Sequence, residues 1–137
     1  MLLFSNFPKK GLLIINGKDV TEENVMIHSG SYYAELPLTK VMNSLDIEVD
    51  WIDDDTADLT YNNKKYTLFL SDISLFEEGQ DFNLLWPPPG GRRFYKILEK
   101  ELVLDSNTIK SSLYQMGIKI SIEINRKERT VNIEVVN

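Results

Sequence analysis

Apolar and polar positions alternate along this chain with two different periods. The run Leu12 to Ile15 ends at Asn16-Gly17, a dipeptide that favours a tight hairpin turn, so it reads as a strand entering that turn. Val25-Met26-Ile27 and Tyr32-Tyr33-Ala34 read as further extended segments around Ser29-Gly30. Leu38, Val41, Met42 and Leu45 then fall at i, i+3, i+4 and i+7, which places them on one face of a short helix. Pro37 suits the first helical turn, where its missing N–H costs nothing. From Asp46 to Ile52 the period drops to two. Ile47, Val49 and Trp51 take one side and are placed in the core; Asp46, Glu48 and Asp50 take the other. Asp53-Asp54-Asp55-Thr56 turns the chain. Ala57–Tyr61 returns as a strand, and Asn62-Asn63 turns it into Lys65–Leu70, giving an antiparallel meander.

Residues 71–92 show no period and read as a connector. They end in Trp86-Pro87-Pro88-Pro89-Gly90-Gly91, in which three prolines favour an extended path and two glycines a bend. Beyond them the earlier order returns. Glu101–Leu104 reads as a strand, and Asp105 or Ser106 as a helix cap. Ile109, Leu113 and Met116 form an apolar stripe, with Gly117 as a left-handed C-cap. Ile118, Ile120, Ile122 and Ile124 alternate with Lys119, Ser121 and Glu123, and Val131, Ile133 and Val135 alternate on the way back. Met42 aligns with Leu113, Leu45 with Met116, Ile47 with Ile118 and Trp51 with Ile122, all at an offset of 71; Leu59 with Val131 needs 72. The expectation is a single α+β domain over 1–137. Antiparallel sheets and two short helices would form two diverged copies of a strand-helix-hairpin unit, residues 12–70 and 93–137.

Composition narrows the chemistry. The chain of 137 residues has no cysteine, which excludes disulfides, thiolate nucleophiles and cysteine-ligated metals. Its one histidine, His28, cannot build a histidine metal centre, and no serine or carboxylate stands beside it in a catalytic motif. A net charge of −6 disfavours nucleic-acid backbones and anionic membrane surfaces. No run reaches the ~18 apolar residues of a membrane span, and there is no Gly-rich phosphate loop. These features predict no enzyme activity and no cofactor.

Ile14-Ile15-Asn16-Gly17, Leu36-Pro37-Leu38, the short helix, Leu45-Asp46 and Val49-Asp50-Trp51 with its acidic turn resemble the copper amine oxidase N-terminal-like domain, or stalk domain, of Firmicutes. The match covers residues 12–70 well, and 93–137 looks like a degenerate second copy. Thr39 or Lys40 stands where the family often has Arg, and Asp46 replaces the usual Gly after the helix. A left-handed residue there costs roughly 1 kcal/mol more as Asp than as Gly. The resemblance implies a non-catalytic binding module associated with protein or cell wall. It implies a cell-envelope or secreted location if an export signal has been removed, and otherwise a cytoplasmic one.

Three features stand out as candidate interaction surfaces. Seven carboxylates fall between Asp46 and Asp58, with Asp53, Asp54 and Asp55 in the turn. Calcium is the sharp reading and a solvated strand face the plain one, since the spacing and glycine of an EF-hand loop are missing. The matching turn of the second half is basic, with Arg126, Lys127 and Arg129, so identical chains could associate weakly head to tail. Trp86 and Pro88 with Arg92 and Arg93 would suit a peptide or glycan if exposed. The competing reading has Trp86 plugging the seam between the two copies. A cytoplasmic immunity or inhibitor protein, meeting a basic toxin through its acidic surface, is the alternative function.

Overall fold

The computed structural model describes residues 9–21, 25–27, 34–86, 95–98 and 101–136. Five strands come first: β1 (Lys9–Lys10), β2 (Leu12–Ile15), β3 (Lys18–Asp19), β4 (Met26–Ile27) and β5 (Ala34–Pro37). Helix α1 (Leu38–Ser44) follows, then β6 (Glu48–Trp51), β7 (Thr56–Tyr61), β8 (Lys64–Phe69) and β9 (Ser74–Glu77). The last part holds β10 (Tyr95–Leu98), β11 (Glu101–Asp105), α2 (Ser106–Gln115), β12 (Ile120–Asn125) and β13 (Thr130–Val135). The fold is α+β, as the periodicity predicts.

Local chemistry sets the corners. Asn16 and Gly17 both have positive φ, as do Asn62 and Asn63, which suits the two-residue turns that match strand twist. Asn16 is also used at long range. Its backbone N–H donates to Ile133 O (2.8 Å), and its Oδ1 accepts from Val135 N (3.0 Å).

Three sheets result. One is five-stranded in the order β1-β4-β5-β11-β10, another runs β12-β13-β2-β3, and the third runs β6-β7-β8-β9. All ladders are antiparallel except β13 with β2, where Val131 stands beside Leu13 and Ile133 beside Ile15. The N-terminal hairpin is therefore built into the C-terminal sheet. The helices meet at the middle: both pack on β5 and β11, while α1 also packs on β6 and α2 on β12. One apolar cluster gathers residues from all three sheets and both helices, among them Leu13, Leu36, Met42, Leu68, Leu104, Leu113 and Val131.

Both helices end in the same way. Ile47 N donates to Met42 O (2.9 Å) and Asp46 N to Asn43 O (3.2 Å); Ile118 N donates to Leu113 O (2.8 Å) and Gly117 N to Tyr114 O (3.0 Å). This is the Schellman arrangement, which needs a left-handed residue just past the helix. Gly117 supplies it at φ 91°, and Asp46 at φ 63° despite its side chain. Asp46→Gly is expected to raise stability by about 0.5 kcal/mol, relief of strain outweighing the added freedom of the unfolded chain. Urea denaturation would measure it, and a loss of stability would assign the Asp46 side chain a bond of its own.

The helix starts differ. Pro37 is not in the first turn of α1. It is the extended N-cap at φ −72° and the last residue of β5. Asp105 caps α2 with its side chain, and α2 runs 10 residues against 7 for α1. Buried positions at the offset of 71 agree from Leu38 and Ile109 to Ile47 and Ile118, but the N-caps Pro37 and Asp105 are 68 apart. Element order alone does not make the halves copies of one unit.

Two expectations are corrected. Trp51 is not core: it is 37% exposed. It lies at the end of an edge strand, and an indole N–H needs an acceptor that a purely apolar site lacks. Its Nε1 donates to Thr39 Oγ1 at 3.2 Å, at the start of α1. The segment 71–92 is also more than a connector. Ser74–Glu77 extends the meander as a fourth strand, with Leu75 paired to Leu68 and buried. Just before it, Ile73 is held at φ 51°, an unusual conformation for a β-branched residue, while its side chain stays buried.

Candidate interaction surface

The outer face of the β6–β9 sheet follows from strand alternation. Ala57, Leu59, Tyr66 and Leu68 point into the core, so Asp58, Thr60, Thr67 and Phe69 point out. Burial raises the pKa of the Tyr66 hydroxyl, with Lys64 acting against the shift and Glu77 adding to it. Register then builds rows across the face. Asp50 stands opposite Asp58, Asp58 opposite Thr67, and Thr67 opposite Phe76. Like charges directly opposed across a ladder are unfavourable. Thr67 Oγ1 relieves one carboxylate by donating to Asp58 Oδ1 at 2.8 Å. At the end of this row Phe76 meets Phe69 edge to face, with ring centroids 5.9 Å apart. Ile52, 57% exposed, lies at the same end of the sheet as Phe69, where Ile52 N donates to Thr56 O and Thr56 pairs with Phe69.

The acidic turn closes on itself. Asp53 Oδ1 accepts from Asp55 N (2.8 Å), and Asp55 Oδ2 accepts from Ser71 Oγ (3.1 Å). Asp53 and Asp54 are exposed and Asp55 is half-buried. Among the described residues no group of three or more His, Asp and Glu side chains is placed to hold a metal ion.

Beyond β9 the chain folds back along the sheet edge. Asn83 fixes this loop: its Oδ1 accepts from both Leu75 N (3.0 Å) and Leu85 N (2.9 Å), while Leu84 N donates to Leu75 O (2.7 Å). Leu85 is buried beneath it. The same turn leaves Phe82 58% and Trp86 74% exposed. Trp86 therefore does not plug a seam; the buried anchor of the loop is Leu85. Pro88, Arg92, Arg93 and His28 lie outside the described residues.

The basic turn sits on another sheet. Arg126, Lys127 and Arg129 are exposed between β12 and β13, with Arg129 at φ 57° and its carbonyl accepting from Leu12 N (2.8 Å). Arg126 borders an open depression that Glu123, Glu128 and Thr130 also line, so the surface there carries both signs of charge. The acidic and basic turns thus belong to different sheets. On β3, hydrogen bonds from the Thr21 hydroxyl and backbone N–H lower the pKa of the exposed Asp19 carboxyl.

Sequence reasoning missed Phe82, Ile52 and the Asp50–Asp58 pair. The last was accessible in principle, since a β6–β7 hairpin with both aspartates outward admits that register. Phe82 sits between Asp81 and Asn83 in a stretch without period, and no local pattern gives its exposure. No helix among the described residues is long and apolar enough to cross a membrane. No family model, no curated protein and no solved structure matches the chain.

Proposed function

We propose that this chain is a non-catalytic interaction module of the stalk-domain kind, made of two diverged strand-helix-hairpin units, and that it binds a cell-wall polymer. The observation that carries this reading is the loop after β9. Asn83 pins its backbone by two hydrogen bonds, yet Phe82 and Trp86 stand out in solvent. Exposed aromatic side chains on a pinned loop backbone offer flat faces to sugar rings or peptide. The Schellman endings common to α1 and α2 support the two-unit reading.

Co-sedimentation with purified cell wall tests the function. Trp86→Ala and Phe82→Ala are each expected to weaken retention about tenfold, as truncation of an aromatic anchor does. Their unfolding free energies in urea should stay within about 0.5 kcal/mol of the parent, because neither side chain is buried. A parent chain that stays in the supernatant, or variants that sediment as the parent does, would count against the reading.

A second reading rests on the facing Asp50 and Asp58, an arrangement that a cationic partner would relieve. It is the cytoplasmic immunity or inhibitor protein. A basic toxin encoded beside this gene, and loss of protection in Asp50→Asn with Asp58→Asn, would support it. An export leader on the full reading frame would rule it out.

A further inference from the structure

We propose that β12 is a self-complementary edge on which a second copy of this chain adds antiparallel, joining two four-stranded sheets across a two-fold axis. Among the described residues the edge is long and open. β12 has one ladder partner, β13, and its other side carries no bond to any described residue. Val136 N donates to Lys119 O (2.8 Å), which sets the phase of the ladder. Odd-numbered residues bond to β13, so the N–H and C=O groups of Ile120, Ile122 and Ile124 point outward.

The two edges of the other four-stranded sheet, β9 and β6, are managed differently. β9 is covered by residues 83–85 through the Leu84-to-Leu75 and Leu75-to-Asn83 bonds. β6 exposes Glu48 and Asp50 and would repel its own copy.

On β12 the charges match. Centring the two-fold on Ser121 sets Ile120 against Ile122 of the second copy as a hydrogen-bonded pair. Lys119 then faces Glu123 of the second copy in a closely spaced pair, and symmetry repeats it. Both Lys119 and Glu123 are exposed in the single chain. On the opposite face Ile118 and Ile120 are buried, while Ile122 and Ile124 are only partly so. The same register places Ile122 against Ile120 and Ile124 against Ile118, which covers the partly exposed pair. The proposal does not depend on the loop of Phe82 and Trp86.

Sedimentation equilibrium up to about 1 mM chain tests it, in the affinity range expected of a small edge contact. The parent should dimerise. Lys119→Glu and Glu123→Lys each set like charges opposite one another twice, and should weaken dimerisation at least about tenfold. The double variant restores opposite pairs and should regain the dimer. That recovery also excludes misfolding as the cause of the single-variant losses. Ser121→Lys, which puts two ammonium groups together on the axis, should also abolish it. Asp53→Asn with Asp54→Asn should leave it unchanged, whereas head-to-tail pairing of the acidic and basic turns would be weakened. A parent monomeric throughout, a dimer indifferent to the single reversals, or a double variant that does not recover would overturn the proposal.

Discussion

Leu36→Ala is expected to cost about 2–5 kcal/mol and to do so in one cooperative unfolding transition. Leu36 is fully buried on β5, directly opposite Leu104 on β11, which is also fully buried. These strands are the floor for both helices, so the cavity opens where α1 and α2 meet the five-stranded sheet. Domains of this size are stable by only about 5–15 kcal/mol, and the loss is a large share of that. Ile52→Ala, at a site 57% exposed, should stay within about 0.5 kcal/mol and serves as the control. Circular dichroism and tryptophan fluorescence, followed together in urea, measure both the cost and the cooperativity. Two separated transitions would mean that the halves fold independently, and that the β5–β11 ladder does not bind them into one unit.

The elements that local pattern could specify are the ones correctly expected. The helical stripe over Leu38–Leu45 and the alternation from Ile118 to Ile124 depend on one face being buried, and a register slip would expose it. Asn-Gly and Asn-Asn mark turns because their backbones tolerate positive φ. Pairing between distant strands obeys no such local rule. The parallel alignment of β2 with β13 joins Leu13 to Val131, and nothing near either residue announces the other. β9 was hidden for a related reason. Its four residues are too few to show a period, and the loop that covers its edge masks the boundary.

The candidate surface was legible where charge alone defined it. Asp53, Asp54, Arg126, Lys127 and Arg129 are all exposed in turns, as clustered charges usually are. It was legible only in part where aromatic side chains define it: Trp51 was expected in the core, Phe82 was not singled out, and for Trp86 an exposed and a buried reading stood side by side. Trp51 satisfies its indole N–H through Thr39, and Trp86 is left outside because Leu85 takes the buried place beside it. Which of two adjacent large apolar residues faces inward depends on the direction in which the chain leaves β9, and Asn83 sets that direction.

Asp105→Ala should be the second costly change, at about 2–4 kcal/mol. Asp105 has no solvent exposure and ends β11 at the first turn of α2. One carboxylate oxygen accepts from Thr108 N (2.9 Å) and the other from Thr108 Oγ1 (2.8 Å), so alanine strands two buried donors together. The damage would spread along a chain of buried polar groups. Ser112 Oγ donates to Thr108 O (2.8 Å), and Ser106 Oγ accepts from Ala34 N (3.0 Å), tying the helix start to β5. Asn is as good an N-cap as Asp and can both accept from the Thr108 N–H and donate to its hydroxyl. Asp105→Asn should therefore lose less than half as much as the alanine variant. Equilibrium unfolding of the two variants side by side separates the cap from the space it fills. If alanine costs no more than asparagine, Asp105 is not what starts α2.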